Sequence, residues 1–192
     1  MNVDKSTMTK RKIKHALLDC MEDKKFELIT VNDIVTKADV NRSTFYRYYD
    51  DKYTLLDEIE LAVIKHINQY RDSNAIYIEG KGYINSQNII SMLRHLKKFD
   101  FIINRLLSFN GDQLFEIRLR NQLSQQFYKS IKVTTSNEKL ELIKDFLGHI
   151  VIGTFRYWTS QDENMSEEDL SQVIEDLLTS GFMKAVENAQ EN

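Results

Sequence analysis

One segment, residues 30–52, constrains the fold of this chain more than any other, because it contains two short helical patterns separated by a tight turn. Thr30 is suited to cap the first helix, and Asp33 follows at the position from which a carboxylate reaches back to the cap. The apolar residues of this helix recur at helical spacing and define one face: Ile34, Val35 and Ala38. The segment therefore predicts a helix–turn–helix.

The second helix of this segment begins after the turn at residues 39–41, with Asn41 or Ser43 as its cap. Phe45 and Tyr49 are spaced to point inward. The residues that face outward can all form hydrogen bonds and include no carboxylate: Arg42, Ser43, Thr44, Tyr46 and Tyr48. A short polar helix face without acidic residues, held against another helix, is what reading the DNA major groove requires. The pattern therefore predicts a DNA-binding motif.

The sequence from about Thr9 to Ile59 resembles the DNA-binding region of the TetR family, bacterial regulators similar to the tetracycline repressor. The matching positions lie in all three predicted helices and their connections: Ile13, Ala16, Leu17, Phe26, residues 29–31, Ile34, Val35, Ala38, Val40, residues 43–49, Asp51, Lys52, Leu55 and Leu56. Two positions depart from the family pattern, since Lys25 and Asp39 stand where glycine is frequent at helix ends. Asp adopts left-handed backbone more readily than Lys, so we expect an effect on local geometry and not on the fold.

The resemblance implies roles for individual residues of the motif. Arg42, Ser43 and Tyr46 would contact base edges, and Asn32 at the start of the first motif helix could join them. Arg42 is suited to bidentate bonding to guanine. The residues implied to hold phosphates carry hydroxyls or a positive charge: Thr30, Thr44, Tyr48 and Lys52. Packing between helices is the alternative role for Tyr46 and Tyr48.

Beyond residue 52 the pattern remains helical, so we predict an all-α chain. An N-terminal three-helix DNA-binding domain, residues 1–52, would precede a helical ligand-binding and dimerisation domain, residues 53–192. A long amphipathic helix is expected over residues 52–71, followed by a loop at residues 73–88. A capping box at Ser166 predicts a last helix that runs to about Ala189.

The last two predicted helices carry wide apolar stripes that would suit a homodimer interface. The dimer candidates are Phe146, Ile150, Ile174, Leu177, Leu178 and Phe182. Closing the core of the monomer is the alternative role for these stripes. The region also loosely resembles the C-terminal part of some TetR-family members, including regulators of dihydroxyacetone-kinase operons, through Gly148, Gly153, Trp158, residues 166–170, Leu177, Leu178 and Gly181. That resemblance implies a dimer that reads a palindromic operator, with half-sites roughly 34 Å apart.

The family resemblance also implies a pocket for a small-molecule effector behind the long connecting helix. Occupancy would change the spacing of the two DNA-binding domains, provided that the effector binds one spacing better than the other. The candidate lining residues are His66, Tyr70, Phe101, Asn104, Phe109 and Trp158. Ordinary packing is the alternative for each of them, since aromatic residues at helical spacing usually pack. The sequence does not identify the effector.

The charge distribution agrees with a DNA-binding N-terminal segment followed by an acidic remainder of the same chain. The chain carries a net charge of −3, with 26 Lys and Arg against 29 Asp and Glu. Eleven of the basic and nine of the acidic residues lie within residues 1–52, so the N-terminal segment is positive and the remainder negative. The basic cluster of Lys10, Arg11, Lys12 and Lys14 could contact phosphates or form a solvated helix face.

Several other classes of protein are disfavoured. The single cysteine, Cys20, excludes an internal disulfide and suits a reducing compartment. The N-terminus is polar and no apolar run approaches the length of a bilayer span, so we expect a soluble, cytoplasmic protein with no membrane partner. The four histidines are scattered and match no catalytic or metal-binding motif, which predicts no enzyme activity, no metal and no cofactor.

The expected function is therefore effector-responsive transcriptional regulation through double-stranded operator DNA, with repression as the expected action. The alternative is a co-activator, a protein-interaction module that keeps the fold but acts through another regulator. The intact outward face of the second motif helix argues against that alternative, because a module without DNA contacts would not need it. Operator position, which the sequence does not reveal, determines whether such a protein represses or activates.

Overall fold

The computed structural model describes residues 2–73, 86–130, 138–160 and 165–181. Every regular element within these ranges is helical, as predicted. The α-helices are α1 (Asn2–Asp23), α2 (Val31–Ala38), α3 (Arg42–Tyr46), α4 (Lys52–Ser73), α5 (Ser86–Lys97), α6 (Asp100–Leu106), α7 (Gln113–Ser130), α8 (Glu138–Ser160) and α9 (Glu167–Thr179). A single 3-10 turn, Phe26–Leu28, connects α1 to α2.

Packing divides the chain into two units. The first, which we call the head, contains residues 1–65 and 101–116, and the second, the body, contains residues 66–100 and 117–192. The head therefore includes the first part of α4 and all of α6 in addition to the helix–turn–helix. The functional boundary predicted at residue 52 coincides with the start of α4, and the roles assigned to its two sides remain predictions.

The head is held together by the apolar faces of its helices. α1 packs against α2, and α2 packs against α3. The fully buried side chains of this unit include Ile13, Leu17, Leu18, Met21, Ile29, Ile34, Phe45, Tyr49, Leu55, Ile103 and Phe115. Burying each large apolar side chain stabilises the fold by roughly 1.5–3 kcal/mol, so this core fixes the orientation of the two motif helices.

Both helices of the motif begin at the caps that the sequence predicted. The Thr30 Oγ1 atom accepts a hydrogen bond from the Asp33 N–H at 3.2 Å, and the Asp33 carboxylate accepts one from the Thr30 N–H at 2.7 Å. Asn41 caps α3, since its Oδ1 atom accepts a hydrogen bond from the Thr44 N–H at 2.7 Å. These bonds satisfy N–H groups that the first turn of a helix would otherwise leave unpaired.

The two positions at which glycine was expected behave differently. Asp39 ends α2 with φ +51° and ψ +53°, in the left-handed region that Asp tolerates. Lys25 has φ −58° and ψ 141°, which is ordinary extended backbone. The departure at Lys25 therefore introduces no strain, and the one at Asp39 is accommodated by the residue type.

α6 is attached to the C-terminal end of α1 within the head. The Phe26 N–H donates to the carbonyl of Asn110 at 2.9 Å, and the Asn110 side-chain amide donates to the carbonyl of Glu22 at 3.1 Å. Arg105 forms an ion pair with the Glu22 carboxylate at 2.9 Å. The segment that follows α6 thus contacts both α1 and the 3-10 turn that leads into α2.

In the body, α5 and α8 both pack against α9. The buried apolar residues of these three helices include Leu93, Leu96, Ile152, Phe155, Trp158, Leu170 and Ile174. Ser166 caps α9 as predicted, because its Oγ atom accepts a hydrogen bond from the Asp169 N–H at 3.0 Å. None of the helices in the described ranges is long and apolar enough to span a bilayer.

The predicted end of the last helix is corrected by the structure. α9 ends at Thr179 and not near Ala189, because the N–H groups of Ser180 and Gly181 both turn back to the carbonyl of Asp176. Gly181 has φ +83°, a conformation that leaves the helix and favours glycine. The rest of the predicted helix, from residue 182, lies outside the described residues, as do residues 74–85 of the predicted loop. At its two ends the loop prediction is wrong, because Ser73 still belongs to α4 and residues 86–88 already belong to α5.

The turn after α6 depends on a residue without a side chain. A Cβ atom at Gly111 would lie 2.1 Å from the carbonyl oxygen of Leu106 and 2.6 Å from that of Arg105. Both oxygens belong to the backbone, so relief would require the turn to move. We expect Gly111→Ala to lower the free energy of unfolding, measured in urea, by about 2–3 kcal/mol. Gln113→Ala, at an exposed position nearby, is the control, and an equal loss in both variants would contradict this account.

Candidate nucleic-acid interface

α3 exposes the side chains that the sequence predicted to read bases. Arg42, Ser43 and Tyr46 are exposed, whereas Phe45 is fully buried and fixes the inner face of the helix. Asn32 is exposed on α2. The residues from 40 to 49 include no Asp or Glu, so the exposed face of α3 does not repel a phosphate backbone by its own charges.

Two of these residues contact each other before any DNA is bound. Arg42 donates a hydrogen bond from Nη2 to the Tyr46 hydroxyl at 3.3 Å, and its guanidinium carbon lies 5.7 Å from the centre of the Tyr46 ring. The Tyr46 ring in turn meets the buried Phe45 ring edge-on, with 5.5 Å between the ring centroids. The guanidinium therefore rests on a ring that the core itself supports.

Tyr48 connects α3 to the N-terminal part of α1. A hydrogen bond from the Ser6 side chain, followed by the positive charge of Arg47, lowers the pKa of the Tyr48 hydroxyl, and Thr9 also bonds to it. The Arg47 guanidinium lies 5.1 Å from the centre of the Tyr48 ring. Arg47 is exposed, and the sequence analysis did not assign it a role. Its positive charge within a run that has no acidic residue was the signal that could have made it a candidate phosphate contact.

Thr30 is already engaged within the head. Its hydroxyl donates to the Asp33 carboxylate at 2.8 Å, and the Lys24 ammonium pairs with the same carboxylate at 2.8 Å. The Lys24 hydrogen bond, followed by the N–H and the hydroxyl of Thr30, lowers the pKa of Asp33 to about 2. The Asp33 carboxylate thus occupies the position at the N-terminus of α2 that an incoming phosphate would take.

Lys52 is also engaged within the head. Its ammonium donates hydrogen bonds to the carbonyls of Phe26, Glu27 and Ile29, each at 2.8 Å. Burial lowers the pKa of the Lys52 ammonium, and the group lies 4.8 Å from the centre of the Phe26 ring. An ammonium group has three N–H donors, so a phosphate contact would have to replace one of these bonds.

The basic cluster on α1 divides into two pairs. Lys10 and Lys14 form ion pairs with Glu58 on α4, at 3.2 Å and 2.9 Å. Arg11 and Lys12 are exposed. Within this cluster, Arg11 and Lys12 are therefore better placed for long-range attraction to a phosphate backbone than the two lysines that join α1 to α4.

Comparison with known proteins establishes the family. A sequence profile described as "Bacterial regulatory proteins, tetR family" matches residues 13–59, and one described as "Transcriptional regulator C-terminal region" matches residues 85–180. The second profile by itself covers half of the chain. This chain belongs to the TetR family. Its family and fold are those of a transcriptional regulator and not of an enzyme, as predicted.

Two curated relatives and one solved structure resemble this TetR-family regulator. YxbF of Bacillus subtilis (strain 168), an uncharacterized HTH-type transcriptional regulator, is 24% identical in an alignment 179 residues long that covers 87% of this chain and 44% of YxbF. DhaS of Lactococcus lactis subsp. lactis (strain IL1403), an HTH-type dhaKLM operon transcriptional activator, is 27% identical in an alignment 136 residues long that covers 69% of this chain and 67% of DhaS. The chain thus spans less than half the length of YxbF.

The solved structure shows that the fold is shared. It is a TetR transcriptional regulator from Streptococcus agalactiae 2603V, with a TM-score of 0.61 and 24% identity over 92% of this chain and 97% of that chain. Both compared chains thus match over nearly their whole lengths. The helix–turn–helix followed by a helical C-terminal domain, predicted from sequence, is therefore the fold of this TetR-family regulator.

The effector-lining candidates of the TetR-family chain are distributed over both units. Phe101, Asn104 and Phe109 belong to the head, where Phe101 stacks on His15 at 5.7 Å and Phe109 is 80% exposed beneath the Lys25 ammonium. The other three candidates belong to the body: His66, Tyr70 and Trp158.

Of the body candidates, two have described surroundings. His66 is exposed and its ring lies 4.6 Å from that of Phe99, whereas Trp158 is buried with the Lys97 ammonium 4.6 Å from its ring centre. The side chain of Tyr70 lies outside the described residues. Among the described residues, no group of three or more His, Cys, Asp and Glu side chains is arranged to hold a metal ion.

The dimer candidates also have different environments. Phe146 is 58% exposed on α8, and Ile150, Leu177 and Leu178 are half-buried. Ile174 is 2% exposed within its own chain, so it contributes to the core of the body. Phe182 lies outside the described residues. The exposed large apolar residues described on α8 are Leu142, Ile143, Phe146 and Tyr157. Leu142 and Ile143 precede Phe146 by four and three residues, and Tyr157 follows it by eleven, close to three helical turns, so all four lie on one side of the helix.

Lys52 gives a direct test of the site geometry. We expect Lys52→Met to lower the free energy of unfolding by about 2–3 kcal/mol, because three carbonyls lose a charged donor. Lys65→Met, at an exposed position on the same helix, should change it little. At temperatures where Lys52→Met remains folded, the slope of log affinity for DNA against log salt should match the wild type. A slope reduced by about one unit would instead assign Lys52 to a phosphate.

Proposed function

We propose that this TetR-family regulator binds a palindromic operator as a homodimer and releases or engages it in response to a small-molecule effector. The observation that carries the proposal is the exposed, acid-free face of α3, on which Arg42, Ser43 and Tyr46 project from a helix capped at Asn41. A duplex major groove accepts a helix of this kind. A regulator that binds operator DNA in this way would act in the cytoplasm.

We divide the candidate DNA-contact residues according to which of their polar groups are still able to bond to DNA at the surface of the head. Arg42, Ser43 and Asn32 are proposed to contact base edges, and Arg47, Thr44 and Tyr48 to contact phosphates. We assign Thr30 and Lys52 to the internal structure of the motif, since the Thr30 hydroxyl both donates to and accepts from Asp33 and all three Lys52 donors bond to carbonyls. The Ser43 hydroxyl donates to the Asn41 side chain at 2.8 Å but keeps its acceptor capacity for a base edge. This division changes the phosphate set that the sequence predicted, and it leaves Tyr46, predicted as a base contact, beside Arg42.

The exposed stripe on α8 supports the homodimer. Its apolar members would face water in a monomer, and a Cβ atom at Gly153 would meet nothing within 4 Å, so the backbone there is open to a close neighbour. A second copy of the same stripe, related by a twofold axis, would cover both surfaces at once. One head contacts few base pairs, so pairing two heads is what gives a palindromic site useful specificity.

The dimer prediction uses charge at the centre of the stripe. The wild type should sediment as a dimer, whereas Phe146→Glu places two like charges at the twofold interface. We expect this change to weaken the dimer by at least about 2 kcal/mol, roughly thirtyfold in its dissociation constant, and operator affinity should fall with it. Leu28→Glu, at a position 63% exposed in the head, is the matched control and should remain dimeric. A wild-type monomer, or equal behaviour of the two variants, would contradict the proposal.

Effector response would require differential binding to two arrangements of the heads. A ligand of the body shifts DNA affinity only by as much as its own affinity differs between the DNA-bound and DNA-free arrangements. The candidates in the body remain His66, Tyr70 and Trp158, whereas Phe109, being 80% exposed in the head, is the weakest of the six. The division into head and body thus reduces the number of residues proposed to line an effector pocket, but it does not identify the effector.

The effector prediction concerns reciprocity. A small molecule that binds the wild type in a thermal-shift screen should bind equally well to Arg42→Ala, Tyr46→Ala, because that double variant alters only the head. Operator DNA should change the affinity of the small molecule for the wild type by between about 5- and 150-fold. An inducer should bind more weakly in the presence of operator DNA, and a co-effector should bind more tightly. Calorimetry with and without DNA measures this. Equal affinities would remove effector control and leave a constitutive DNA binder.

The direction of regulation has two candidates. Repression is the expected action from sequence, and activation is favoured by the similarity to DhaS, whose name describes an operon activator. A reporter gene placed behind the operator distinguishes the two, since deleting the regulator should raise expression in the first case and lower it in the second. A protein that binds no DNA in any assay would instead support the co-activator alternative.

A further inference from the structure

The contact between Arg42 and Tyr46 carries an inference that goes beyond operator binding. Arg42 is the first residue of α3 and Tyr46 the last, so one helical turn brings their side chains together on the exposed face. The guanidinium donates to the Tyr46 hydroxyl at 3.3 Å and lies 5.7 Å from the ring centre. The ring therefore contacts the guanidinium through both its hydroxyl and its π-face.

The position of the Tyr46 ring is itself determined by the core. Tyr46 is 46% exposed, but its ring packs edge-on against Phe45, at an angle of 88° between the ring planes. Phe45 is fully buried and also lies 5.8 Å from the ring of Tyr49, which is 2% exposed. An exposed arginine is thus connected through two aromatic contacts to side chains that cannot move without disturbing the head.

We propose that Arg42 and Tyr46 act as one reading unit, in which Tyr46 positions the Arg42 guanidinium for a guanine edge. This inference depends on the operator binding proposed above. A guanidinium has five N–H donors, and the bond to Tyr46 uses one of them. Bidentate bonding to the O6 and N7 atoms of guanine uses two more. The bond to Tyr46 and the bond to guanine are therefore compatible in donor number.

The physical benefit of this arrangement is lower conformational entropy loss. An exposed arginine samples many rotamers, and fixing such a side chain at an interface costs about 0.5–1.5 kcal/mol. Tyr46 already restricts Arg42 before DNA arrives, so part of this ordering is complete in the unbound head. Tyr46 would then act on affinity and base preference through Arg42, as a positioning residue, and not through a base contact of its own.

The test is a double-mutant cycle on the duplex that the wild type selects from a random pool. Tyr46→Phe removes the hydroxyl and keeps the ring, and Arg42→Ala removes the guanidinium. In the wild-type background Tyr46→Phe should weaken binding by roughly three- to tenfold. In the Arg42→Ala background it should weaken binding by less than about twofold, because its effect depends on the arginine. Both single variants should relax preference at the same base pair.

The control pair is Arg42→Ala with Tyr48→Phe, since the Tyr48 ring lies 5.1 Å from the guanidinium of Arg47. These two changes should combine additively, and Tyr48→Phe should weaken all duplexes alike. Arg42→Lys keeps the charge but not the planar fork, so it should relax the same base preference while preserving the salt dependence of binding. The control cycle therefore shows how two independent residues of the motif behave.

Two outcomes would overturn the inference, and one would overturn the function on which it depends. An equal loss from Tyr46→Phe with and without Arg42 would mean that Tyr46 makes its own contact. A relaxed preference at a different base pair would mean the same. If Arg42→Ala binds the selected duplex as tightly as the wild type, the proposed reader face is itself wrong.

Discussion

The head depends on one cation, the ammonium group of Lys52, which joins the start of α4 to the turn between α1 and α2. Three carbonyls of that turn, from Phe26, Glu27 and Ile29, point toward a single position and accept hydrogen bonds from the same nitrogen. The Phe26 carbonyl also accepts a hydrogen bond from the Ile29 N–H at 3.1 Å, whereas the hydrogen bonds described for the Glu27 and Ile29 carbonyls come from Lys52. Leaving a carbonyl of this kind unpaired would cost about 1–3 kcal/mol. Lys52 thus fixes the path by which the chain enters α2.

The polar residues of the motif therefore serve two different purposes. Thr30, Asp33 and Lys52 bond to the backbone and to one another, and they determine where α2 begins and how it is held. Arg42 and Arg47 project from α3 and its C-terminal end toward solvent, each over a tyrosine ring. Internal bonding makes the motif rigid, and that rigidity is what allows an exposed arginine to be oriented before DNA binds.

Features that depend on nearby residues were predicted well from sequence. The caps at Thr30, Asn41 and Ser166 and the helical apolar faces follow from spacings of three or four residues, and the structure confirms them. The internal bonds of Lys52 were not predicted, because its partners are backbone carbonyls that lie far away in the sequence. Ile174 belongs to the apolar stripe of α9 that was predicted to form a dimer interface. Only the tertiary packing shows that its side chain is buried within its own chain.

The central claim is that two copies of this rigid head, each presenting α3, read a twofold-symmetric site. Sequencing the duplexes that the wild-type protein enriches from a random DNA pool tests it most directly. The account predicts an inverted repeat, with half-site centres roughly one helical turn, or about 34 Å, apart and a guanine in each half-site. Enrichment of an unrepeated sequence, or no enrichment at all, would contradict it.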